Sequence, residues 1–180
     1  MAINTSLVWD QEITVPSINK LNDAIKEVAF QFILMAQREN IFLRVPSNGG
    51  YISFVEQGIS FDNRFSKVMP GDTYHNFGLA FDILPLTSTK YTLDPRADGK
   101  LTLTDDKWKR VGQLAKSVGF EWGGEWLKND APHPKFDSAH FQFPRTILSL
   151  EELKKMRAEQ NNRDLVLIPE KTINLFNPKD

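Results

Sequence analysis

Not one of the 180 residues is cysteine, and no other feature narrows the possible folds of this chain as far. Without disulfides or thiolate clusters, an apolar core must hold the fold together, and any bound metal must be held by His, Asp or Glu. A chain of this length can bury most of its apolar surface as one domain, and 41% of its residues are hydrophobic. The formal net charge of −1, with 25% charged residues, provides no broad positive field, so binding to nucleic acid or an anionic membrane is disfavoured. No apolar run reaches the about 18 residues that would span a bilayer. The start, "MAINTSLVWDQEITVP", lacks the basic end and apolar centre of a signal peptide, so synthesis in the cytoplasm is expected.

From Ser17 to about Asn40, apolar residues recur at Ile18, Leu21, Ile25, Val28, Ala29, Phe32 and Ala36, the stripe of a helix with one buried face, with Pro16 and Ser17 marking its start. "IFLRV", Ile41 to Val45, reads as a strand running into the loop "PSNGG", and "YISFVEQ" as one or two helical turns. Along Leu79 to Leu84 a period of two puts Ala80 and Asp82 on one face and Leu79, Phe81 and Ile83 on the other. An excursion or hairpin is expected over 86–103. Thr104 then caps a helix from Asp105 to about Val118, which Gly119 ends. Ser149 and Glu152 form a capping-box pattern for a last helix through about Gln160, and "DLVLIPEKTINLF" follows as a strand and tail. Helices and strands do not alternate regularly, so the fold class expected is α+β, one domain with a small antiparallel sheet flanked by helices.

The chain has three histidines, His75, His133 and His140. A hydrolytic zinc centre uses three protein ligands and one open position, and two neutral imidazoles with one carboxylate leave it a net positive charge. His75, Asp82 and His140 can supply that set. His75 stands at a loop end, Asp82 on the following strand, and His140 in "AHFQF", which alternates like a neighbouring strand. Asp137, three residues before His140, brings a carboxylate to the same place as general base and acid. His133, between two prolines in "APHPK", reads as a surface or substrate-facing residue.

"YHNFGLAFD" together with "DSAHF" resembles the signature of the zinc peptidases that include D-alanyl-D-alanine carboxypeptidases and phage L-alanyl-D-glutamate endopeptidases, a superfamily shared with the hedgehog signalling domain. The family pattern is Ser-x-His-x-x-Gly-x-Ala-x-Asp, and here Thr73 takes the serine position ahead of His75, Gly78, Ala80 and Asp82. "WGGEW", Trp122 to Trp126, resembles the Trp-Gly-Gly-Asp-Trp of the endolysin branch, and the spacing from Asp137 to His140 is endolysin-like as well. The resemblance covers roughly Ile18 to Phe143. It implies a Zn2+ cofactor on His75, Asp82 and His140, Asp137 as the catalytic carboxylate, and hydrolysis of the stem peptide of bacterial peptidoglycan.

"GYISFVEQ" lines up with the family's Gly-Tyr-Arg-Ser-x-x-x-Gln, so Gln57 matches but Ile52 stands where the family has arginine. That arginine would stabilise an oxyanion or grip a substrate carboxylate, and Arg44 or Arg64 could take its place. Gln57, Thr73, Glu125 and Trp126 complete the candidate substrate-binding residues, with Glu125 also the alternative catalytic carboxylate. The expected organisation is a catalytic domain over 1–148 with a C-terminal helix and tail, 149–180, packed on it. The expected activity is L-alanyl-D-glutamate endopeptidase, exercised on the cell wall after release through a phage holin system. The alternatives are D-alanyl-D-alanine carboxypeptidase and, because of Ile52, a zinc-fold binding module with weakened catalysis.

Overall fold

The computed structural model describes residues 4–86, 105–126 and 137–176. His133, the Thr104 cap and, apart from Leu86, the excursion expected over 86–103 lie outside them. The stretch expected to be one helix from Ser17 is two, α1 (Gln11–Asn19), which carries Pro16 inside it, and α2 (Asp23–Arg38). Asn22 makes the break. Its side chain caps α2 by accepting from the Ala24 N–H, while its amide donates to the carbonyls of Phe77 and Val166 and its backbone N–H to Gly78 O. A capping side chain tied to two distant segments ends α1 more firmly than the apolar stripe prolongs it.

The chain continues through β1 (Leu43–Arg44), α3 (Phe54–Asp62), β2 (Ala80–Asp82), β3 (Leu84–Pro85), α4 (Asp105–Ser117), β4 (Glu121–Trp122), β5 (His140–Gln142), α5 (Leu150–Glu159) and α6 (Glu170–Phe176). The architecture is α+β, as expected. β1 pairs antiparallel with β3, and β5 lies between β2 and β4, antiparallel to both. The Ser149–Glu152 capping box starts α5, and Gly119, at φ +103°, follows the last turn after α4. The strand expected in "DLVLIPEKTINLF" is corrected: its second half is the helix α6.

Register gives the three-stranded sheet two unlike faces. Phe81 pairs with Phe141, and Phe141 with Trp122, on the face turned to the core. There Phe32 of α2 packs 5.1 Å from the Phe141 ring and 6.1 Å from Phe81, and Phe120 closes on Phe81 at 5.1 Å. One residue along, Asp82 pairs with His140, and Gln142 lies between Ala80 and Glu121 on the other face. The apolar layer is thus a rigid backing for a polar row. The C-terminal segment packs on the same core: Leu153 and Val166 are buried in it, and Phe176 stacks on Phe143 at 4.7 Å.

Candidate metal centre

His75 sits in a single helical turn, Tyr74–Phe77, capped by the Thr73 hydroxyl, which accepts from the His75 N–H. Gly78 ends the turn at φ +65°, and a Cβ there would meet the backbone N of Asn22 at 2.8 Å. Only glycine suits that position, so the turn into β2 is sharp and the His75 ring lands beside Asp82 and His140. His75 Nε2, His140 Nδ1 and Asp82 Oδ1 form a triangle with edges of 3.2, 3.1 and 3.5 Å.

Zinc held tetrahedrally at about 2.0–2.1 Å keeps its donor atoms about 3.3 Å apart, so the triangle has the size of one face of such a site. The remaining ring nitrogens fix the chemistry of its corners. His75 Nδ1 lies 2.8 Å from Gly50 O, a group that can only accept, so the proton is on Nδ1 and Nε2 offers a lone pair. His140 Nε2 lies 2.9 Å from Gln142 Oε1, and its Nδ1 faces Asp82 Oδ1 at 3.1 Å. With the carboxylate, three atoms that can each offer a lone pair face one another, a donor set that suits a cation at its centre. Both imidazoles are nearly buried, but 41% of the Asp82 side chain is exposed, so the triangle opens toward solvent on one side.

Electrostatics agree. Burial would lower the pKa of His75, yet the Asp82 carboxylate, its hydrogen bond, the Gly50 carbonyl and the charge of Asp137 together raise it. Desolvation pushes the Asp82 carboxyl up, but the two imidazoles hold it well below the usual carboxylate range. Both shifts favour a positive charge within the cluster.

Asp137 opens the turn into β5. Its backbone N–H donates to Gly123 O, its carboxylate accepts from the Ala139 N–H, and it is exposed to solvent. The Trp126 ring, a candidate groove wall, is 7% exposed and lies 5.1 Å from the His140 ring, so it packs a ligand in place. Glu125 is turned to α4, where both carboxylate oxygens accept from Lys116.

The two arginines considered for the place of the missing family arginine have other settings. Arg44 is buried and its guanidinium grips both oxygens of Asp10, which removes it as a substrate clamp. Arg64 is exposed in a left-handed turn after α3. Gln57, also expected to contact substrate, is 5% exposed and donates to Ser66 Oγ and Val68 O, fastening the loop after α3.

Sequence reasoning missed Gly50, Gln142 and Gly123. Gln142 was within reach of period-two counting, being two residues beyond His140 on a strand. Ile52 has a main-chain role that its side chain does not reveal: its N–H donates to His75 O and its carbonyl accepts from the Asn76 amide. The Ile52 side chain lines a cavity of about 560 Å³ with Lys20, Ser47, Asn48, Tyr51, Glu56 and Ser60.

Comparison with known proteins places these features in a family. The family described as D-alanyl-D-alanine carboxypeptidase matches residues 69–143. The peptidoglycan L-alanyl-D-glutamate endopeptidase CwlK of Bacillus subtilis (strain 168) is 33% identical over 132 residues, 68% of this chain and 76% of CwlK. Among solved structures, the L-Ala D-Glu endopeptidase ChiX of Serratia marcescens superposes with a TM-score of 0.49 at 17% identity, over 76% of this chain and 90% of ChiX. The Zn(II) complex of a variant of the vancomycin resistance D,D-pentapeptidase VanY gives 0.43 at 13% identity, over 86% of this chain and 84% of VanY.

Proposed function

The chain belongs to the D-alanyl-D-alanine carboxypeptidase family of peptidases, and from that premise we propose that it is a zinc-dependent hydrolase of the peptidoglycan stem peptide, cleaving between L-Ala and D-Glu. The observation that carries the reading is the lone-pair triangle of His75 Nε2, His140 Nδ1 and Asp82 Oδ1, matched in size to zinc and open on the Asp82 side. When bound, zinc supplies a Lewis acid that polarises the scissile carbonyl and acidifies water at the open position. Asp137, exposed beside the cluster, takes the proton of the attacking water and returns it to the leaving amine. Trp126 holds the His140 ring against rotation, and the Gly50 and Ile52 main chain holds His75 from the other side.

The cavity lined by Tyr51 and Ile52 adjoins the stretch of chain that braces His75, which supports it as the place for the peptide. Its described charged lining residues are Lys20 and Glu56, one of each sign. The spacing from Asp137 to His140 favours the endopeptidase over the D-alanyl-D-alanine carboxypeptidase reading, and Ile52, in place of the family's arginine, is the feature that favours a binding module. The "WGGEW" segment, whose Trp122 is hydrogen bonded to Ser138 O ahead of β5, favours the lysin branch, a phage-type enzyme brought to the wall through a holin lesion.

The test is metal content together with digestion of purified peptidoglycan, with and without chelator. One zinc per chain and chelator-sensitive release of new L-Ala and D-Glu termini are expected, and D137N should keep the zinc but lose cleavage by 10²–10⁴-fold, the usual range for acid–base groups (~). Release of D-Ala alone would favour the carboxypeptidase, and zinc without any cleavage the binding module.

A further inference from the structure

Gln142 is a buried polar side chain that the proposed chemistry leaves unused. It is 0% exposed, the last residue of β5, on the same face as His140. Its Oε1 lies 2.9 Å from His140 Nε2, while its own amide nitrogen has no hydrogen-bond partner among the described residues. We infer that Gln142 is a positioning residue that fixes His140 in the tautomer with a bare Nδ1 and so presents that nitrogen to the metal. The inference rests on the zinc reading of the site.

The two imidazoles face different problems. The acceptor for His75 is the Gly50 backbone carbonyl, which cannot change roles. For His140 the competing arrangement is strong, because Nδ1 lies 3.1 Å from Asp82 Oδ1, and a proton there would make a charge-assisted bond to the carboxylate. That tautomer would block the metal-binding lone pair. An acceptor at Nε2 opposes it, and the Gln142 carbonyl is such an acceptor. Turning the amide over would aim an N–H at Nε2 and drive the proton onto Nδ1, so the orientation of one side chain decides whether the site is open to a cation. The neighbours across the sheet leave the amide this freedom. Ala80 has no polar group, and the Glu121 carboxylate is occupied by Trp126 Nε1 and by Arg145, through both its backbone N–H and its guanidinium.

Gln142 also suits the charge of the site. A neutral acceptor leaves two neutral imidazoles and one carboxylate around the metal, whereas a carboxylate would add a third negative charge to a row that already holds Asp82 and Glu121.

The experiment is zinc affinity by chelator competition for the wild type, Q142M and Q142E, with histidine-selective NMR of the metal-free and zinc-loaded proteins. The wild type should show His140 protonated at Nε2 and bare at Nδ1. Q142M should bind zinc about 10–100-fold more weakly, the usual loss for a partner that orients a ligand, with its metal-free His140 moved to the Nδ1–H form, and Q142E should restore both. Wild-type affinity in Q142M, or a wild-type His140 protonated at Nδ1, would overturn the inference. Should Q142M fail to fold, the wild-type tautomer and the Q142E affinity still decide it. A wild type that binds no zinc overturns the function proposed above, while the His140 tautomer in that same sample still reports whether Gln142 sets it.

Discussion

Gly123 shows how one missing side chain can place the carboxylate proposed as catalytic. A Cβ on it would lie 2.5 Å from the Asp137 carbonyl oxygen and 3.3 Å from the His140 Cβ, and its own carbonyl accepts the Asp137 N–H. Gly123→Ala therefore pushes the backbone of the turn that carries Asp137 away from β4. Displacing a reacting group by about 1 Å can cost about 10²-fold, so steady-state kinetics on a stem-peptide substrate should show kcat falling by about that factor. Zinc affinity should fall far less, because the ligand triangle does not include Asp137; equal losses of both would mean that the turn holds His140, not Asp137. Gly58 is the contrasting case. In the middle of α3, its added Cβ would meet only Pro70, at 3.6 Å, and Gly58→Ala should stabilise by about 0.5–1 kcal/mol in denaturant melts. The residues of this scale that could be picked out by their own chemistry and that the structure brings together are His75, Asp82 and His140. Gly50 and Gly123 could not be picked out so, because what they contribute is a carbonyl or an absence of bulk, and any residue type leaves the first and many contexts allow the second.

Elements with local causes could be read from their letters, and those with distant causes could not. The α5 start was legible because Ser149 and Glu152 bond reciprocally within one turn, and the faces of β2 because alternation is a property of the strand itself. The α1–α2 break was hidden because Asn22 is held by Phe77, Gly78 and Val166, far away in the chain. α6 was misread for the same reason: "TINLF" has β-branched and aromatic residues, but its Phe176 is placed by Phe120 and Phe143, with a Cβ on Gly119 as little as 2.3 Å from the Phe176 carbonyl oxygen. That docking gives a prediction. Phe176→Ala removes a ring that is 3% exposed, and Phe→Ala in a core costs about 3–5 kcal/mol. For a chain of this size the melting temperature should drop by roughly 6–20 °C. A drop under a degree would show that α6 adds nothing to the cooperative unit.

At the scale of the whole molecule, the metal cluster ties stability to pH with a sign that depends on zinc. In the metal-free protein His75 has a raised pKa, so its contribution to stability is fully present below its unfolded value of about 6.5 and is lost as pH rises through the higher native value. Asp82 has a lowered pKa, so its contribution is present above its unfolded value of about 3.9 and is lost only as pH falls through the lower native value. Between those two unfolded values both contributions are in place, and above them the metal-free fold weakens as the proton leaves the three facing acceptors. Zinc reverses the upper arm, because it competes with that same proton for His75 Nε2. Its stabilisation, about 2.7 kcal/mol when free zinc is a hundred times the dissociation constant, should shrink as pH falls below the native value of His75 and reach its full size above it. Melting temperatures from pH 5 to 8.5, with chelator and with zinc, should give two curves that separate as pH rises, and D82N, which removes one corner of the triangle, should bring them together. Curves that stay parallel across the range would mean that zinc binds without displacing the His75 proton and would remove His75 from the ligand set.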